Sequence, residues 1–146
     1  MDLNNAAWEL ATGVVYLRDP ERALSLAKKA VAAAPEVPLN LNTLGVALYR
    51  AGRHAQAIAT LEQSLAATKG QVAAFDLFFL AMARHRLGQA AQARDSFDRA
   101  VRWWREQEQL SDHYANELAE FRTEAEAVLG LTRPGGELPA DVFAPE

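Results

Sequence analysis

The 146-residue sequence contains no cysteine, which excludes a disulfide framework and a cysteine-ligated zinc site. It also lacks the basic excess typical of proteins that bind nucleic-acid phosphates, because the formal net charge is −4. The longest apolar run, residues 77–83, is too short to cross a membrane, and residues 1–5 lack the features of a signal peptide. These absences predict a cytoplasmic protein without nucleic-acid or membrane partners.

Residue patterns that carry catalysis or bind metals are missing as well. No HExxH, GxSxG or glycine-rich phosphate loop occurs, and His54, His85 and His113 do not share a metal-binding spacing. The carboxylates near the C-terminal end of the helical region follow one side of a helix, the ordinary pattern of a solvated surface. The sequence therefore predicts a protein that is not an enzyme and that needs neither a metal nor another cofactor.

Alanine and leucine dominate the apolar half of the composition, and both residues favour helices. Apolar residues at helical spacing predict seven helices, at residues 3–17, 21–34, 39–51, 55–68, 71–87, 90–105 and 112–129. Residues suited to begin or end a helix fall at these bounds: Asp19, Pro20, Gly52, Gly88, Ser111, Asp112 and Gly130. The chain is therefore predicted to be all-α.

A repeat of 34 to 36 residues organises the first six helices. The segment 44–52 has a counterpart in 80–88, and the copies predict repeats at residues 4–37, 38–73 and 74–107. Small residues recur at three positions of each copy: Ala11, Gly45 and Ala81; Ala23, Ala57 and Ala93; Ala30, Ser64 and Ala100. Helix backbones approach closely only where side chains are short, so these positions predict tightly packed helix pairs.

This pattern resembles the tetratricopeptide repeat family. The resemblance covers residues 4–105 and is strongest in the second repeat, at Leu44, Gly45, Leu48, Ala57 and Leu61. It implies a right-handed α-solenoid of three helix-turn-helix repeats, closed by a capping helix at residues 112–130, in one domain over residues 1–131. Parts of the sequence also resemble repeat modules at the C-terminal ends of large bacterial proteins.

The last residues, 132–146, hold three of the six prolines and no helical period, which predicts a flexible tail. Within this tail, residues 137–143 carry both acidic and apolar side chains. Two interpretations stay open for them: a short docking motif that reaches back to the chain, and an ordinary disordered end.

In tetratricopeptide repeats, the first helices of successive repeats line a concave groove that binds a protein or peptide. The resemblance therefore implies an adaptor whose groove contacts are Trp8, Asn42, Tyr49, Arg50, Met82, His85 and Arg86. A plainer interpretation places the apolar members, together with Phe75, Phe78 and Phe79, in the core, and leaves the polar members solvated. We favour the core for the apolar set.

Members of the family that hold a chaperone's C-terminal carboxylate use lysine, asparagine and arginine at five groove positions. Here those positions are Trp8, Thr12, Thr43, Phe75 and Phe79. None of these side chains is a cation or an amide, so we predict that the chain is not a chaperone-tail receptor of this type.

Two other functions remain as alternatives. The first is a structural or self-association module, or the end piece of a larger protein. The N-terminal end face favours it, because this face carries Trp8, Val15 and Tyr16. The second is nucleic-acid binding through arginines between Arg94 and Arg105 beside Trp103 and Trp104. The acidic net charge favours the simpler interpretation that arginine stems cover apolar surface there.

Overall fold

The structure, a computed structural model, describes residues 2–131 of the chain. These residues form seven α-helices and no strand, which confirms the all-α prediction. The helices are α1 (Leu3–Thr12), α2 (Pro20–Ala33), α3 (Pro38–Arg50), α4 (His54–Ala67), α5 (Ala73–Arg86), α6 (Ala90–Arg105) and α7 (Asp112–Leu129). The predicted flexible tail, residues 132–146, lies outside the described residues.

Side-chain caps start two of the helices where the sequence predicts them. The Asp19 carboxylate accepts a hydrogen bond from the Arg22 backbone N–H at 3.2 Å, and Pro20 occupies the first turn of α2. The Ser111 hydroxyl accepts from the Tyr114 N–H at 3.2 Å and starts α7. Each cap satisfies a backbone donor that has no partner within its helix, so these bounds follow from local chemistry.

The hairpins α3–α4 and α5–α6 use the same glycine turn. Gly52 and Gly88 have φ angles of 80° and 79°, a left-handed conformation that costs glycine no steric strain. The residue after each glycine then donates its N–H back to the helix: Arg53 to the Leu48 carbonyl at 2.9 Å, and Gln89 to the Arg84 carbonyl at 2.9 Å. The repeat seen in the sequence is therefore also a repeat of turn geometry.

The first helix is shorter than predicted. The sequence predicts a helix over residues 3–17, but α1 ends at Thr12, and Val15–Leu17 form a single 3-10 turn instead. Gly13 adopts an extended ψ of −161°. Glycine disfavours the helix interior, and two β-branched residues follow it at positions 14 and 15, so local propensity opposes the last turn.

Gly13→Ala should disturb this break. A Cβ at residue 13 would lie 2.5 Å from the backbone oxygen of Glu9, so the observed conformation cannot accept it. We expect the free energy of unfolding to fall by about 1 kcal/mol and amide hydrogen exchange to change across residues 14–18. Chemical denaturation and hydrogen exchange of both proteins would measure this, and identical exchange across residues 14–18 would contradict it.

The chain divides into two compact units, Met1–Val72 and Ala73–Glu146. In the first unit, α1 pairs with α2 and α3 pairs with α4, while α3 also packs against α1 and α2. In the second, α5 pairs with α6, and α7 packs mainly on α5. The division falls one residue before the predicted boundary between the second and third repeats, which lies between residues 73 and 74. The single domain over residues 1–131 stays a prediction.

Small residues make the helix pairs possible within each unit. Ala11, Ala23 and Ala57 are completely buried in the first unit, as are Ala81, Ala93 and Ala100 in the second. Gly45 is also buried, and it lies against the Leu61 side chain of α4. The residues that recur in the sequence are therefore the residues that let helix backbones approach.

Candidate protein-binding surface

The predicted contacts of the first unit differ in how much surface they offer. Trp8 on α1 is half-buried, and its carbonyl accepts a hydrogen bond from the Thr12 hydroxyl at 2.9 Å. Asn42 and Tyr49 on α3 are buried, and the Tyr49 ring packs 5.3 Å from that of His54. Trp8 therefore keeps surface for a partner, while Asn42 and Tyr49 contribute mainly to packing.

Arg50 connects α3 to the end of α1. Its Nε donates to the Ala11 carbonyl at 2.9 Å, and its guanidinium lies 5.8 Å from the centre of the Tyr49 ring. Because α1 stops at Thr12, the carbonyls of its last turn need partners from outside the helix. The Asp19 N–H donates to the Leu10 carbonyl at 2.9 Å, and the Arg50 Nε donates to the Ala11 carbonyl. No local sequence pattern indicates this capping role, because Arg50 follows Ala11 by 39 residues.

In the second unit, the groove positions of α5 form part of the core. Met82 is completely buried, and so are Phe78 and Phe79. Phe79 packs edge-on against Phe121 of α7 at 4.8 Å between ring centres, and Phe78 packs against Phe97 of α6 at 5.7 Å. The predicted contact role of Met82 therefore has no exposed surface to support it, because α5 is enclosed by apolar side chains.

His85 and Arg86 end α5 and are the predicted contacts that remain accessible in this unit. His85 is half-buried and Arg86 is exposed. The last residues of α5 therefore offer polar accessible surface, whereas residues 73–83 of the same helix are buried.

A mixed polar and apolar surface stays open on α1 and α3 of the first unit. It consists of Asn5, Trp8 and Glu9 on one side of α1 and Leu39 in the first turn of α3, and we call it the open face. Leu39 is 48% exposed, and Asn5 and Glu9 are exposed as well. Leu39 occupies a groove position by its place in the repeat, but it is not among the contacts predicted from the sequence.

The arginines of α6 alternate with carboxylates on the helix surface. Arg94 pairs with Asp98 at 3.0 Å, and both side chains are more than half exposed. Trp103 and Trp104 are half-buried, and the Trp103 carbonyl accepts from the Gln107 amide at 3.0 Å. A helix surface that carries both positive and negative side chains is typical of a solvated helix. A surface that binds nucleic-acid phosphates is usually basic.

Two classes of site find no support in the part of the chain that the structure describes. Among residues 2–131, no group of three histidine, aspartate or glutamate side chains could hold a metal ion. Within the same residues, none of the helices is long and apolar enough to span a bilayer.

Comparison with known proteins identifies the repeats. The family model described as tetratricopeptide repeat matches residues 9–72, which include most of α1 and all of α2, α3 and α4. A search of curated proteins gives no match to the chain. Repeats of this family generally mediate protein–protein interactions. The matched residues and the paired helices of the first unit together show that residues 9–72 are similar to tetratricopeptide repeats.

Proposed function

We propose that the chain is a non-catalytic, cytoplasmic adaptor that binds a protein or peptide through the open face of its first unit. One observation supports this location above others. Leu39 is 48% exposed on a groove position, whereas the apolar groove positions of α5 are buried. Covering an exposed aliphatic side chain, or the exposed part of a tryptophan ring, with a partner's apolar surface contributes binding free energy.

The chemistry of the open face favours a partner segment with apolar and basic side chains. Leu39 and Trp8 offer apolar contact, and Glu9 provides an exposed carboxylate. A lysine or arginine of the partner would complement that carboxylate, whereas a C-terminal carboxylate would be repelled by it. This agrees with the lack of a cation or amide at the positions that grip a chaperone tail.

The predicted contacts take different parts in this proposal. Trp8 belongs to the open face, whereas His85 and Arg86 lie in the second unit and are not required for binding. Asn42 and Tyr49 are buried and take no direct part, and Arg50 links α3 to α1 through its bond to the Ala11 carbonyl. Met82 takes no direct part.

Leu39→Glu is the variant that tests the proposal. A charge at this position should remove the apolar contact and lower the captured amount of the specific partner by about tenfold, which is 1.4 kcal/mol of binding free energy. Affinity capture with the purified full chain, followed by mass spectrometry, would measure this against the unchanged protein.

Leu87→Glu provides the matched control, since Leu87 is 44% exposed but lies in the second unit, in the turn directly after α5. It introduces the same charge at a similar exposure and should leave capture unchanged. Equal capture by both variants would show that the open face is not the working surface. Circular dichroism of both variants would establish that each remains helical.

A second candidate function is self-association, as a structural module or the end piece of a larger protein. Val14, Val15 and Leu17 favour it, because three exposed aliphatic residues in four positions form an unusual surface for a monomer. Light scattering over a range of concentrations distinguishes the two functions. A mass that stays monomeric throughout would leave the adaptor as the function.

A further inference from the structure

The connection between α1 and α2 presents three aliphatic side chains to solvent. Val14, Val15 and Leu17 are 54%, 71% and 64% exposed, and we call them the aliphatic loop. The corresponding turns of the other two hairpins contain three residues each, around Gly52 and Gly88. The early end of α1 therefore creates an apolar surface that the other hairpins do not have, and it lies at the opposite end of α1 from Asn5 of the open face.

Hydrogen bonds hold the aliphatic loop in one shape. The Leu17 N–H donates to the Val14 carbonyl at 2.8 Å, and the Asp19 N–H donates to the Leu10 carbonyl at 2.9 Å. The Arg18 Nε donates to the Gly13 carbonyl at 3.0 Å. The exposure of the three side chains is thus a property of an ordered turn, and little conformational entropy would be lost when a partner covers it.

The charges around the aliphatic loop are mixed with a positive excess. Arg18 follows it directly, and Arg50 places the end of α3, and with it the turn that carries Arg53, beside the end of α1. Two carboxylates lie close by, those of Glu9 and Asp19, and the latter caps α2 through the Arg22 N–H. Three arginines against two carboxylates favour a partner that combines apolar and acidic side chains.

We propose that the aliphatic loop binds residues 137–143 of a second copy of the chain. This segment, Glu-Leu-Pro-Ala-Asp-Val-Phe, carries two carboxylates, three large apolar side chains and no cation, which matches the loop in both respects. It belongs to a terminal stretch of 15 residues that follows Leu131. An extended stretch of that length spans about 50 Å, enough to extend to a neighbouring molecule.

We assign the segment to a second copy because two copies can exchange two such contacts. The loop alone offers less than the roughly 800 Å² per partner of a stable interface. Each copy carries one loop and one segment, so two copies related by a twofold axis make two equal contacts. This inference extends the second candidate function by naming its contact, and it does not depend on Leu39 or Trp8 of the open face.

The lack of native cysteine makes a direct test possible. One chain carries Val15→Cys, and a second chain, extended by a tag that changes its mass, carries Val142→Cys. Mixing the two chains under mild oxidation forms a mixed disulfide only when the cysteine Cα atoms of different molecules approach within about 7 Å. We expect this disulfide to form about tenfold faster than the control pair of Leu87→Cys with Val142→Cys, because binding raises the local concentration.

Two further measurements complete the test. Adding Glu137→Lys and Asp141→Lys to the tagged chain should slow the cross-link about threefold at low salt, since the charge match is reversed. Equal rates for the Val15 and Leu87 pairs would overturn the proposal. So would a double variant, Val15→Cys with Val142→Cys, that closes within one molecule while the mixed chains fail to cross-link. Neither result bears on capture through Leu39, so the two proposals fail separately.

Discussion

Gly45→Ala should lower the free energy of unfolding by about 2 kcal/mol, although alanine is the better helix former by about 1 kcal/mol. The new Cβ would lie 2.5 Å from both Cγ and Cδ2 of Leu61, and that leucine is completely buried on α4. Overpacking of a well-packed interface costs about 1–3 kcal/mol, and the rigid helix pair leaves Leu61 little room to move. The steric cost therefore exceeds the gain in helix propensity. Urea denaturation of the two proteins measures the difference.

A double-mutant cycle with Leu61→Ala separates the steric cause from other effects. Leu61→Ala alone should cost about 3 kcal/mol because it leaves a cavity between α3 and α4. The double variant should be more stable than the sum of the single changes implies, by at least about 1 kcal/mol, since the alanine at residue 45 then occupies part of the cavity. Additive losses would show that the contact between residues 45 and 61 does not limit the packing.

Arg122→Met should destabilise the protein by about 3 kcal/mol, the cost of leaving a buried charge without its partner. Arg122 and Glu126 lie one turn apart on α7, with Nε and Oε1 separated by 4.0 Å and with 9% and 8% of their side chains exposed. Methionine keeps the apolar stem and the helix propensity of arginine, so the expected loss comes from the Glu126 carboxylate, which stays buried. Thermal and chemical denaturation measure this loss.

An exposed pair on α6 supplies the matched control. Arg94 and Asp98 have the same spacing in sequence and a shorter distance, 3.0 Å, but their side chains are 57% and 52% exposed. Arg94→Met should change the stability by less than about 0.5 kcal/mol, because water screens the pair and hydrates the carboxylate left behind. The double variant Arg122→Met with Glu126→Leu should recover most of the loss, since both charges of this pair are then replaced by apolar side chains. If Arg122→Met and Arg94→Met have equal effects, burial does not set the strength of these pairs.

The sequence alone determined the helical class, the repeat and most helix ends. Alanine and leucine at helical spacing are enough to predict helices, and local signals such as Asp19, Ser111 and Gly88 act within a few residues of themselves. The predicted bounds of α6 and α7 agree with the structure for this reason. Short-range hydrogen bonds and φ preferences do not depend on the rest of the fold.

Tertiary structure alone decided where surface remains. Periodicity shows that one side of a helix is apolar, but not which neighbour covers it. Met82 and Leu39 both occupy groove positions, yet the first is buried in the core of the second unit and the second is half exposed. The cap on the last turn of α1 comes in the same way from Arg50, which supplies a donor to the Ala11 carbonyl from 39 residues away. Burial and this cap on α1 both come from contacts between residues that are distant in sequence. Such contacts leave no local signal that a sequence pattern could show.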